Sequence, residues 1–154
     1  KDLTQAFKTN ADAGAGHYLA YGRAEGRSVT FDGLKYIASY DDLMARLPHT
    51  AEAGAMHFIQ KGDSEHRTTT FDALQYTASY GDLIRALGTN EAAALDHWLS
   101  RGHAEGRSAD RFDATQYLRN YSDLRAAFGS DEHAATAHWI KYGYLEGRSD
   151  HALP

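Results

Sequence analysis

The stretch Phe71-Asp72-Ala73-Leu74-Gln75-Tyr76-Thr77-Ala78-Ser79-Tyr80-Gly81-Asp82-Leu83 decides the fold, because it recurs. Phe31-Asp32 and Phe112-Asp113 stand in the same register, followed by Tyr36 and Tyr117 in place of Tyr76 and by Tyr40 and Tyr121 in place of Tyr80. Further along, a histidine precedes an aromatic residue at His17, His57, His97 and His138, about 40 residues apart. Each copy closes on Glu-x-Arg, carried by Glu25 and Arg27, Glu65 and Arg67, Glu105 and Arg107, Glu146 and Arg148. Self-similarity at a fixed period marks a tandem array of one supersecondary unit. Complete copies span 31–68, 71–108 and 112–149, after a partial one over 1–28, and 1–154 reads as a single helical-repeat domain. Lys1-Asp2-Leu3 aligns with Asp42-Leu43 and Asp82-Leu83, so the sequence opens inside a copy and reads as a fragment of a larger protein.

Composition limits what the unit can be. Val and Ile, the residues a sheet uses most, number one and four in 154 positions, which predicts an all-α chain. Leu, Ile, Val and Phe together supply 25 residues, a level at which disorder must be weighed. A net charge of only -5, ten Tyr, two Trp and two Pro argue against disorder and for a thin, Ala-rich core that depends on aromatics. The absence of Cys excludes disulfides, thiolate catalysis and cysteine metal sites. No apolar run approaches the roughly 20 residues needed to cross a bilayer, and acids and bases are interspersed without a basic stripe, which argues against nucleic acid as partner.

Within a copy, helix signals fall in order. Asn10, Thr50, Asn90 and Asp131 share a register and can cap a helix N-terminus with a side-chain oxygen. Apolar residues then follow at i, i+3, i+4, as in Leu95, Trp98 and Leu99. Gly22, Gly62, Gly102 and Gly143 come twelve residues past the cap, where a left-handed glycine would end the helix. Asp32, Asp72 and Asp113 are the expected caps of an earlier helix, with Lys35, Gln75 and Gln116 in a capping-box position. Asp41, Gly81 and Ser122 are expected to cap a short helix stopped by Pro48, Gly88 or Gly129. The unit reads helix, short helix, helix, turn. Such a unit cannot bury its own apolar face, so copies are expected to stack as an α-solenoid or a compact superhelical bundle.

Three sets of residues are candidates for chemistry. His17, His57, His97 and His138 could line up as metal or haem ligands, or border the buried stripe and bond a neighbouring turn. The second reading is favoured, because metal sites gather several ligands locally and no two of these are close in sequence. The Glu-x-Arg residues are expected to make an inter-unit ion pair, the Arg bonding either the repeated Glu or the Asp of an Asp-Leu step, since every copy keeps them. Positions that differ between copies are where specificity can reside. Tyr21, Tyr142 and Tyr144 stand where other copies have Lys61, Arg101, Asp63 and His103, so Tyr21, Tyr142, Tyr144, Arg101 and His103 are the candidate partner-binding residues. His66 replaces the glycine found at Gly26, Gly106 and Gly147, which puts a left-handed turn there in doubt.

No phosphate-binding glycine loop, calcium loop, His-Glu-x-x-His or nucleophile elbow occurs, and a regular array offers repeated surfaces rather than one irregular pocket. The expected class is therefore non-enzymatic, without a cofactor. The consensus Phe-Asp-Ala-Leu-Gln-Tyr-x-Ala-Ser-Tyr-Gly-Asp-Leu, ending in Trp-Leu-Ser-Arg-Gly-His-Ala-Glu-Gly-Arg, resembles helical repeats of this length found in large bacterial secreted or cell-surface proteins, often beside RTX or hydrolase domains. The resemblance covers nearly the whole chain. It implies extracellular or cell-surface placement and a scaffold or attachment role, and it carries no catalytic residues over. The partner expected from the variable, Tyr-rich surface is a protein or another copy of the chain, with a glycan or peptide stacking on Tyr21, Tyr142 and Tyr144 as the alternative. The RTX glycine-aspartate nonapeptides are absent, so calcium binding of that kind is not implied.

Overall fold

A computed structural model of the chain describes residues 2–26 and 30–153. Every regular element among them is helical. In chain order they are α1 (Asp2–Phe7), α2 (Ala11–His17) running into π1 (Tyr18–Gly22), α3 (Gly33–Ala38), α4 (Asp41–Arg46), and α5 (Ala51–His57) running into π2 (Phe58–Gly62). Next come α6 (Ala73–Ala78), α7 (Gly81–Leu87), and α8 (Glu91–His97) running into π3 (Trp98–Gly102). The chain ends with α9 (Ala114–Asn120), α10 (Ser122–Phe128), and α11 (Glu132–His138) running into π4 (Trp139–Gly143). The chain divides into two compact units, residues 1–71 and 72–154. The boundary falls at the start of a sequence copy.

The expected caps hold at seven helices. Asn10, Thr50, Asn90 and Asp131 accept the amide of the residue three positions on, as do Asp32, Asp72 and Asp113. The capping box does not close at Gln75, whose side-chain amide bonds Asp110 and the carbonyl of Phe112 instead. Asp41, Gly81 and Ser122 are the first helical residues rather than caps. The cap position is held by Tyr40, Tyr80 and Tyr121, none of which bonds the helix with its side chain. Their hydroxyls reach the end of the same copy, accepting the amides of Thr68, Ser108 and Ser149 at 2.9, 2.7 and 2.8 Å. Ser39 and Ser79 tie down the connection that follows, each Oγ accepting two consecutive amides, of Thr70 and Phe71 and of Arg111 and Phe112.

Each compact unit has its own core. In residues 1–71 the buried side chains are Tyr36, Ile37, Leu43 and Met44 with Phe71. Here α3 crosses α5 at Gly33 and Gly54, whose backbones are so close that a β-carbon on either would strike the carbonyl of the other helix. Residues 72–154 enclose Leu74, Ile84, Phe112, Tyr117, Leu118, Leu124, Trp139 and Ile140. The equivalent crossings there carry Ala73 with Ala94 and Ala114 with Ala135, all buried. The scarcity of branched aliphatics is met by close helix approach and by rings: Phe112 stacks on Trp139 at 5.2 Å, and Tyr117 meets Trp139 edge-on at 5.3 Å.

Candidate functional site

Three tyrosines and three of the repeated histidines form one recurring polar element. Tyr36 with His57, Tyr76 with His97 and Tyr117 with His138 bring hydroxyl and Nδ1 within 3.0, 2.8 and 3.0 Å. The hydroxyl donates when the imidazole carries its proton on Nε2. The π-helix that follows each histidine makes room for this contact. Hydrogen bonds from the amide of residue i+5 to the carbonyl of residue i, as from Asp63 to Phe58, widen the turn, and Gly62 comes against the Tyr36 hydroxyl. Gly62, Gly102 and Gly143 each face the tyrosine hydroxyl, and a β-carbon on any of them would overlap it. These glycines were expected to end the helix in the left-handed region, yet none has positive φ. They serve side-chain space, and the left-handed residue comes four positions later, at Gly26, His66, Gly106 and Gly147.

The rings of Tyr36, Tyr76 and Tyr117 are fully buried. Burial pushes their hydroxyls up to about 12 from an ordinary 10.0, while the charges of Arg67, Arg107 and Arg148 act in the other direction. A raised folded pKa favours the protonated hydroxyl, so the stability it contributes is intact below pH 10 and is lost as pH rises through about 12. In an alkaline titration followed by tyrosinate absorbance, three of the ten tyrosines are expected to ionise late and together with loss of helical circular dichroism. Substituting Phe at all three should remove that late phase.

The repeated arginines fasten each copy internally. Arg67 donates to both carboxylate oxygens of Asp42 at 2.8 and 3.0 Å and to Glu65 at 2.6 Å. Arg107 bonds Asp82 at 3.1 and 2.9 Å and Glu105 at 2.7 Å. Arg148 bonds Asp123 at 2.9 Å and Glu146 at 2.7 Å. Both expected partner types are engaged at once, but all three residues of each set lie in one sequence copy, so the expected inter-unit clasp is corrected to an intra-unit one. Arg27, the fourth repeated arginine, lies outside the described residues. Each of these three guanidiniums also covers a tyrosine ring, Tyr40, Tyr80 or Tyr121, at 4.7 to 4.8 Å. The Arg hydrogen bonds hold Asp42, Asp82 and Asp123 below the ordinary carboxylate range. Because these carboxylates remain 43 to 60% exposed, solvent screens the pairs and they add little stability individually. Each pair closes the start of a short helix onto the end of the same copy.

Of the candidate contact residues, the structure leaves Tyr21 61% and Tyr142 56% exposed, and Arg101 is also exposed. Tyr144 and His103 are half-buried and make contacts within their own unit. Tyr144 packs edge-on against Trp139 at 5.8 Å, accepts a hydrogen bond from Arg85 at 2.8 Å and fills the space beside Gly81. His103 lies edge-on against Trp98 at 5.5 Å. Two residues that the sequence reading passed over are more exposed than either tyrosine: Leu19 at 76% and Leu145 at 74%. Leu145 could have been noticed, since Ala24, Ser64 and Ala104 hold its position in the other copies.

The histidines make no shared site. His57, His97 and His138 each turn Nδ1 to a tyrosine, His17 keeps a buried Nδ1 without a hydrogen-bond partner, and no three of His, Asp and Glu converge as metal ligands among the described residues. No helix among them is long and apolar enough to cross a membrane. No protein-family model matches the chain, and no curated protein or solved structure matches it either.

Proposed function

We propose that the chain is a non-enzymatic helical-repeat module for protein interaction or extracellular assembly, its copies stacking as a solenoid or compact superhelical bundle. The observation that carries this reading is how the repeated and the variable residues are used. The repeated polar residues Tyr, His, Arg, Asp and Glu bond one another inside each of the three complete copies, whereas Tyr142 and Leu145, which depart from their counterparts in 31–108, stand in solvent. An exposed tyrosine beside an exposed leucine on one helix end suits a protein contact, where aromatic residues supply much of the binding energy. The cell-surface placement rests on the resemblance in the repeat consensus.

A double substitution, Tyr142→Ser with Leu145→Ser, tests this. The melting temperature is expected to stay within a few degrees of the parent, while self-association measured by sedimentation from micromolar to millimolar concentration weakens. A melting temperature that falls as far as that of a core truncation would place these residues in the framework and remove the reading.

A further inference from the structure

Two residues other than glycine have left-handed backbone among the described residues, Lys8 at φ 50° and His66 at φ 56°. Glycine takes this backbone in other copies: Gly88 at 54° and Gly129 at 61° correspond to Lys8, with Pro48 at that position in copy 31–68, and Gly26, Gly106 and Gly147 at 68 to 70° correspond to His66. A β-carbon crowds the backbone in this region and glycine does not, so each side chain is held at a cost to stability. A strained residue kept where its left-handed counterparts are glycine points to a use for the side chain.

Both line one cleft of about 470 Å³ within residues 1–71. Its first wall is the end of α1 and the turn after it, with Thr4, Gln5, Lys8 and Thr9. Its second wall is π2 and the turn after it, with Gln60, Asp63, Ser64 and His66 beside Ile59. This wall is where the copy departs from the others: Asp63 stands against Arg23, His103 and Tyr144, and Gln60 against Ala20, Ser100 and Lys141. Among the described residues, no hydrogen bond or ion pair engages the side chains of Lys8, Asp63 or His66. The cleft thus holds one cation, one anion, an imidazole, two amides and three hydroxyls, with a single aliphatic side chain.

That lining selects among ligands. One carboxylate and one imidazole are too few for a dedicated metal cage. A lone lysine opposite an aspartate suits a single negative charge better than a phosphate dianion. An apolar ligand would strand most of the lining groups without partners. Hydroxyl-rich molecules satisfy amides and carboxylates in pairs, and the volume lies within the range of small-molecule sites. We propose that this cleft binds an acidic sugar, its carboxylate at Lys8 and its hydroxyls on Asp63 and the amides of Gln5 and Gln60, with His66 closing the second wall. The site is independent of the surface at Tyr142 and Leu145 and stands whether or not that surface binds protein.

The test uses the whole chain with glucuronate, and glucose as the neutral control, read by amide chemical shifts and calorimetry. Glucuronate is expected to shift residues 4–9 and 59–66 and to bind more tightly than glucose. Lys8→Gly and His66→Gly supply the residue that the backbone favours, so each is expected to raise the melting temperature. Lys8→Gly should also weaken glucuronate by at least about tenfold, the loss of a charge-assisted hydrogen bond. A gain in stability together with a loss of ligand is a combination that a structural role does not produce. Absence of shifts in both segments, binding untouched by both substitutions, equal affinity for glucose, or a fall in melting temperature on introducing glycine would each overturn the proposal.

Discussion

Replacing Trp139 with Ala is expected to lower the stability of residues 72–154 by about 4 kcal/mol, within the range for truncating a large buried aromatic. The indole is 8% exposed, stacks on Phe112 and meets Tyr117 and Tyr144 edge-on. Its Nε1 donates to the carbonyl of Ala78 at 3.1 Å. Alanine removes the ring contacts, opens a cavity lined by three aromatic residues and leaves that buried carbonyl without its donor. Against a total stability of about 5–15 kcal/mol for a typical domain, this consumes much of the reserve. Urea unfolding followed by circular dichroism should show a lower midpoint with little change in slope. Trp139→Phe keeps a ring on Phe112 and loses the hydrogen bond, so about half the effect or less is expected. A cost for the alanine variant under about 1 kcal/mol would be incompatible with this core, given the transfer term alone.

The sequence made the helices legible because their determinants are local. A cap such as Asn90 acts on the amide of Ala93, three residues on, and a periodic stripe such as Leu95, Trp98 and Leu99 lies within one helix. What the sequence left open depends on groups that meet across about twenty residues or more. Gly102 looks like a helix terminator in sequence, since nothing local reveals that Tyr76 lies against it. Arg107 was legible as an ion-pairing residue, but whether Asp82 belonged to its own copy or the next was decided by how α7 and the turn after π3 approach each other. Tyr144 varies between copies as a contact residue would. Its burial against Trp139 arises because its own unit has a neighbour in α7, carrying Gly81 and Arg85, that makes room for it and bonds it. Repetition therefore identified which residues act together without identifying the partner within each set.

The use of Gly102 leads to the second large effect. Helix propensity alone would make Gly102→Ala stabilising by about 1 kcal/mol, since its backbone lies outside the positive-φ region. The structure reverses that sign. The new β-carbon would overlap the Tyr76 hydroxyl and lie 2.9 Å from its ring carbon Cζ, and Tyr76, with no exposed surface, has nowhere to withdraw. Overpacking and the broken bond to His97 together should cost about 3 kcal/mol. Tyr76→Phe alone leaves His97 Nδ1 without its partner and is expected to cost about 1–2 kcal/mol. Combined, the two should cost less than their sum by about 1–2 kcal/mol, because the phenylalanine removes the atom that the alanine strikes. Gly106→Ala supplies the contrast: nothing lies within 4 Å of its β-carbon, but φ is 70°, so its cost comes from the backbone and should be additive with Tyr76→Phe. Thermal or urea unfolding of the five variants measures both cycles. Additivity at Gly102 would show that this glycine is not kept for the tyrosine hydroxyl, and coupling at Gly106 would show that non-additivity with Tyr76 does not depend on that contact.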